Sequence, residues 1–382
     1  MRRLGLFSAL AGLASLLAAA PPQPQIVREN GRWVKTIRGS VAAQGRLRVN
    51  AHGPVTLEGG VSNDLSYTAR VSVNARSETE ARRLLDLYRI RVDSQGGWTV
   101  VTATGGAVLA RIALRAPRLG TAVISTSDGA VQATGIDGPL EVDTRAGELS
   151  VDRVRGDCKL STGGGELRAG EIGGTLQGTT GAGAISVKRV GGDAILGTNG
   201  GDIVSGQAGG SVRAETGGGD VRIGTAGGSV TAVSGGGRIV VENAKGVVTV
   251  RNMAGPVQVG SAAGVRCESG NGGIRVSNIA GPMRVSTSMG SILATLLAGN
   301  LAESYLSTGN GDITVLIPSN VGVTIQAQNN MSDTLRRIVS DFREIPVRRQ
   351  GPWVVAQGSV NGGGPLVQIL GMGGTIFIKR EK

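Results

Sequence analysis

The chain is nearly devoid of aromatic residues, histidine and cysteine. Three Trp, three Tyr and three Phe in 382 residues exclude a wide core filled by large rings, so any interior must be narrow. The single histidine, His52, stands between two strand-like segments and reads as a surface turn residue. That leaves Ser-His-Asp and Cys-His machinery out of account. Cys158 and Cys267 are the only cysteines. Six coils of the repeat described below separate them by roughly 30 Å at about 4.8 Å per coil, far beyond disulfide reach, and both read as buried thiols. Charge is sparse at 18%, yet periodic Val, Ile and Leu rule out a solvated low-complexity tail.

Glycine is abundant, with 65 copies, and it is ordered. From Gly129, every ninth position is glycine as far as Gly273. Two residues after each glycine up to Gly255 comes an apolar residue or cysteine, from Val131 through Leu140, Leu149 and Cys158 to Val257. Alternate nonapeptides differ, which makes the true unit eighteen residues. One half carries Thr126, Thr144, Thr162, Thr180, Thr198, Thr216, Ser234 and Asn252; the other carries Ile136, Val154, Ile172, Val190, Ala208, Ala226, Ala244 and Ala262. A fixed period of this kind marks stacked repeats.

Within one unit, Thr216–Val233, apolar residues alternate after each glycine with the period of a half-buried strand. Each unit is therefore two short strands and two turns. Such a turn buries its apolar face only by stacking on copies of itself, which predicts an all-β parallel β-solenoid, with about 18 residues per coil and like residues in columns. The Thr column is expected at a corner, where its hydroxyls bond backbone or each other. The apolar pair then shifts by one, to Val265 and Cys267, Ile274 and Val276, so one residue is lost near Gly260–Gly264. The working glycines become Gly272, Gly281, Gly290 and Gly299, and the columns resume at Ser269, Thr287, Ile279 and Leu297. A three-residue insertion near Asn300–Tyr305 precedes one more coil, closed by Pro318.

Residues 1–20 hold two arginines, an apolar run and small residues, a secretory signal pattern that implies export to the periplasm, cell surface or medium, with an uncleaved anchor as the other outcome because Pro21 and Pro22 follow. No cysteine near residue 20 offers a lipoprotein attachment. Residues 21–38 read as a linker, 39–125 as an N-terminal coil and helix-containing cap, 126–318 as the regular solenoid, and 319–382 as C-terminal strands and cap. The helix is expected over Ser77–Tyr88, with a Ser77/Glu80 capping box and Ala81, Leu84, Leu85 and Tyr88 on one face. Strands are expected at Leu65–Val73, Trp98–Ala103, Val108–Leu114 and Val321–Gln326, a short helix or loop at Thr334–Phe342, and a last coil that also caps at Ile376 and Ile378. No later segment is long and apolar enough to span a membrane.

Calcium-binding nonapeptides need an aspartate column, whereas the Val/Ile/Leu column fills the third glycine position here. The acidic column Glu148, Glu166, Asp202 and Asp220, broken by Ala184 and Arg238, reads as a solvated edge. Glycine runs such as Gly217–Gly219 lack the following Gly-Lys-Ser/Thr of a phosphate loop. Nucleic-acid binding needs a basic stripe with stacking aromatics, which the array lacks. No catalytic, cofactor-binding or metal-ligating residue is expected. The net charge of +12, +10 without Arg2 and Arg3, favours anionic envelope polysaccharide or another surface polymer as partner.

The T-x-x-G-x-I-x-V grammar, the stretch ALRAPRLGTAVISTSDGAVQATGIDG, TGNGDITVLIP, Ser340–Phe342 and the closing NGGGPLVQILGMGGTIFIK together resemble the bacterial putative-adhesin family of β-strand repeat domains. The resemblance covers about residues 39–380. It implies an exported, β-helical, non-enzymatic envelope protein, an adhesin-like scaffold or binding surface. The competing expectation is a carbohydrate-active β-helix enzyme acting on acidic polysaccharide, since such enzymes work with Asp, Lys and Arg alone.

Overall fold

The computed structural model describes residues 26–105, 108–299, 301–330 and 338–381. Strands of five or six residues alternate through the array, as in Val221–Ala226 and Val230–Ser234. Each pairs in parallel with its copy one unit later: Val221 lies opposite Ile239, and Val230 opposite Val248. The result is a parallel β-solenoid with two facing sheets. The first contains Val131–Ile136 and its successors to Ile313–Ile317; the second contains Thr121–Thr126 and its successors to Ser304–Asn310. Eleven consecutive coils form this stack. Inward positions are buried and outward ones exposed in strict alternation, as in Cys158–Thr162 and Val212–Thr216. No aromatic residue occurs between Trp98 and Tyr305, and Val, Ile, Leu and Ala fill the narrow interior, each fully buried larger side chain contributing about 1.5–3 kcal/mol.

Thr144, Thr162 and Thr180 lie opposite one another on successive coils, and the column continues to Ser269, Thr287 and Thr308. The lost residue is visible as a change of spacing: Asn243 pairs with Ser261, eighteen on, but Val248 pairs with Val265, seventeen on. Glycines 272 and 290 sit where a Cβ would strike the backbone of the preceding coil, whereas at Gly273 and Gly264 it would meet nothing closer than 3.3 Å. One column assignment moves. Ile279 is followed by Leu296, which is 2% exposed, and not by Leu297, because the register slips between Val276 and Ile279.

Both ends are built out of chain order. Arg46–Ala51 and Val55–Glu58 form a coil that lies between Trp98–Thr104 with Leu109–Arg115 on one side and the array on the other: Leu47 is opposite both Thr99 and Ala122, and Val55 opposite both Ile112 and Val131. Antiparallel strands Leu65–Val73, Arg32–Val41 and Ile26–Glu29 then extend the first sheet, and Arg89–Gln95 extends the second. The stretch expected as a linker over 21–38 thus holds strands from Ile26 onward. Helix Glu78–Leu85 packs against this cap through buried Ala81 and Leu85. Ser77 Oγ accepts from Glu80 N at 3.3 Å, while the Glu80 carboxylate reaches Arg76 N at 2.9 Å, one residue before the position a capping box uses.

At the far end, Leu366–Gly371 and Ile376–Arg380 stack directly on the last array coil. Val323–Asn330 and Ile338–Ser340 lie outside them, and antiparallel Trp353–Val360 and Val347–Gln350 finish the second sheet. The closing strand is therefore a coil of the stack, and the covering role falls to residues earlier in the chain. Part of the segment expected as a helix or loop, Thr334–Phe342, is the strand Ile338–Ser340; the rest, to residue 337, and the signal segment lie outside the described residues. Three of the four outermost strands carry arginine (Arg28, Arg89 with Arg91, and Arg348 with Arg349), which discourages edge-to-edge pairing.

Candidate functional site

The Thr column is consumed by structure. Thr162 Oγ1 donates to Gly147 O of the preceding coil at 2.8 Å and accepts from Gly165 N of its own corner at 3.1 Å. Thr180, Thr198, Thr216 and Ser234 repeat this pair of bonds. At Asn252 the corner changes type. Its amide donates to Gly237 O and Gly255 O, but Gly255 N donates onward to Asn271 O, and Asn252 Oδ1 is buried without a partner. Ser269 Oγ, one coil on, is also buried and unpartnered.

The acidic column is likewise structural. Asp202 Oδ1 accepts from Asp220 N at 2.8 Å, and Asp220 Oδ1 from Arg238 N at 2.7 Å, satisfying corner amides that have no ladder partner. Glu148 and Glu166 both pair with Arg168. Among the described residues no group of three or more His, Cys, Asp or Glu is placed to hold a metal ion. Cys158 and Cys267 are buried and unlinked. Burial pushes both thiols up to about 12, with Asp157 and Glu268 adding to the effect, so neither is a ready nucleophile.

His52 lies at an exposed corner, as its turn position implies. The structure adds a neighbour that sequence reasoning missed: Nδ1 shares a hydrogen bond with Ser127 Oγ. The two meet only because the coil of residues 46–58 stacks on that of residues 121–136. Among the described residues no carboxylate bonds the ring, so the pair lacks the third group that orients a catalytic histidine.

Of the grooves that cross the coils, two differ sharply in charge. The larger, about 830 Å³, follows the corner of the Ile/Val column and is floored by glycines including Gly135 and Gly173. Its charged wall is mixed, with Arg153, Arg155 and Arg189 beside Glu58, Asp137 and Glu171. Arg153 adopts a left-handed backbone (φ 52°), a conformation that costs a bulky residue about 1 kcal/mol or more, and its guanidinium turns back to Thr134 Oγ1 at 3.0 Å. Each carboxylate has a cation: Arg155 on Asp137 at 2.9 Å, Arg115 on Glu58 at 3.3 Å and Lys188 near Glu171 at 4.0 Å. The second groove, about 490 Å³, lies where first-sheet strands begin, between Arg238 and Thr314, and no carboxylate lines it.

No family model matches the chain, and no curated protein is significantly similar to it. Solved structures do match. One is a putative cell adhesion protein from Clostridium sporogenes ATCC 15579, 9% identical, over 91% of this chain and 100% of that one, with a TM-score of 0.15. Two others are putative adhesins from Bacteroides fragilis NCTC 9343 and Parabacteroides distasonis ATCC 8503, each 10% identical over 91% of this chain and 97% of the other, with TM-scores of 0.19. At these identities and scores the overlays carry no argument of their own, and the solenoid stands on its strand register.

Proposed function

We propose that this chain is a non-enzymatic, exported cell-envelope β-solenoid, an adhesin-like scaffold whose outer faces bind anionic envelope polysaccharide. The observation that carries the reading is the continuous parallel stack of eleven coils. It sets outward side chains on a grid of about 4.8 Å along the axis, a rigid lattice suited to a repeating polymer. Export rests on the signal pattern of residues 1–20. The three carboxylates of the larger groove favour the second reading, a carbohydrate-active enzyme; against it, each faces a cation, an arrangement that surface ion pairing explains without catalysis. Incubation with polygalacturonate separates the two: retention on the polymer without new chain ends is expected, and release of shorter oligosaccharides by purified protein would overturn the non-enzymatic reading. Cell fractionation with N-terminal sequencing tests export; a cytoplasmic chain beginning at Met1 would refute it.

A further inference from the structure

Departures from local sequence rules tend to collect at functional sites; besides the left-handed Arg153 and the unpartnered Ser205 Oγ earlier in the array, several fall on adjoining coils. Asn252 replaces Thr, Pro256 follows Asp202, Asp220 and Arg238 at its corner position, one residue is missing before Val265, and the buried oxygens of Asn252 and Ser269 are unpartnered. The carboxylate-free groove lies on these coils.

We propose that Arg238 and Arg275 form a binding site for the carboxylates of a polyuronate chain crossing the coils obliquely; this rests on the polymer reading above and names its locus. Both side chains are exposed, and among the described residues neither guanidinium has an ion pair or hydrogen bond. They stand two coils apart, about 10 Å along the axis, and two residues apart along the strand, about 7 Å across it; the resulting oblique span of about 12 Å is a little over a disaccharide and within reach of two long side chains. On the coil between them Gln258 offers a neutral donor and acceptor and Pro256 an apolar contact for a sugar ring face; Ser291, Leu293 and Thr314 continue the groove on the two coils beyond Arg275. The carboxylates at the two ends are already engaged: Asp220 Oδ1 accepts from Arg238 N, and Asp312 Oδ1 from Thr375 N.

The larger groove is the weaker anion site despite its three arginines. A carboxylate arriving there competes with Asp137 for Arg155 and with Glu171 for Lys188, whereas at Arg238 and Arg275 it meets no carboxylate already paired with the guanidinium. Guanidinium binds carboxylate through two parallel bonds. One such exposed contact is weak, and a polymer engaging both gains from effective concentration.

The test is equilibrium binding of polygalacturonate to the wild-type chain, to Arg238→Glu/Arg275→Glu, and to two charge-matched variants, Arg213→Glu/Arg284→Glu on the second sheet and Arg153→Glu/Arg189→Glu in the larger groove. Neutral dextran serves as the blank, and thermal unfolding checks that each variant folds. Loss of about tenfold or more in affinity is expected for Arg238→Glu/Arg275→Glu, with less than about threefold for the others. Wild-type binding with equal losses in all three variants, or with the loss in another variant, overturns this site and leaves the polymer reading standing. Failure of the wild-type chain to bind overturns both.

Discussion

Replacing either of two neighbouring glycines by alanine should have opposite consequences. A methyl group at Gly200 would have no atom within 4 Å, and the backbone there is not left-handed, so Gly200→Ala should stabilise the chain by about 0.4–1 kcal/mol through the unfolded state. A methyl group at Gly201 would land on the Gly183 carbonyl, with Ala184 N at 2.8 Å. Relief requires the coils to part locally, and several bonds cross that corner: Thr198 Oγ1 to Gly183 O at 2.9 Å, Gly201 N to Thr198 Oγ1 at 3.2 Å, and Ile185 N to Asp202 O at 2.8 Å. Weakening two of them at about 1 kcal/mol each, together with about 1–3 kcal/mol of overpacking, gives a loss of roughly 3–5 kcal/mol. Urea unfolding followed by circular dichroism measures the difference, and hydrogen exchange at Ile185 and Ile203 shows whether it is local, as expected where each coil touches only its neighbours. If the two variants differ by less than about 1 kcal/mol, the close corner packing described above is wrong.

Thr162→Val keeps the shape and strands Gly147 O and Gly165 N, and should cost about 1–3 kcal/mol with faster exchange at the Gly165 amide; an unchanged midpoint would show that the hydroxyl ladder adds nothing. Leu296→Ala should cost about 2–5 kcal/mol and Leu297→Ala about 1 kcal/mol or less, measured in the same assay; the reverse ranking would restore the unslipped register. Cys158 and Cys267 have folded-state values near 12, raised from an ordinary 9.0, so the unfolded chain sheds those protons first. Their contribution is complete below pH 9 and falls away between about pH 9 and 12. Native protein should accordingly ignore a disulfide exchange reagent at pH 8, and its unfolding midpoint should decline as pH rises above 9. Rapid labelling of both thiols without unfolding would contradict their burial.

Features repeated every eighteen residues could be read from sequence because each copy votes for the same geometry. The Thr column, the apolar columns and the missing residue before Val265 all came from that redundancy. The slip from Leu297 to Leu296 did not, since two adjacent leucines satisfy the pattern equally well. The insertion of residues 46–58 beneath residues 98–115 was also hidden: pairing between distant segments leaves no local period. The same cause conceals the His52–Ser127 contact. Both grooves depend on outward side chains, which the coil leaves free to vary, and Asp202 and Asp220 were visible as acids but not as acceptors for the next coil's amides.

The out-of-order far end has a bearing on how the molecule is made. Residues 376–380 occupy a slot between Ile313–Ile317 and Ile338–Ser340, layers that leave the ribosome before they do. A chain interrupted ahead of residue 366 would hold that slot empty, with two bare rows of amides and carbonyls open to proteases and to other chains. The far end of the rod therefore closes only when residues 366–380 are in place.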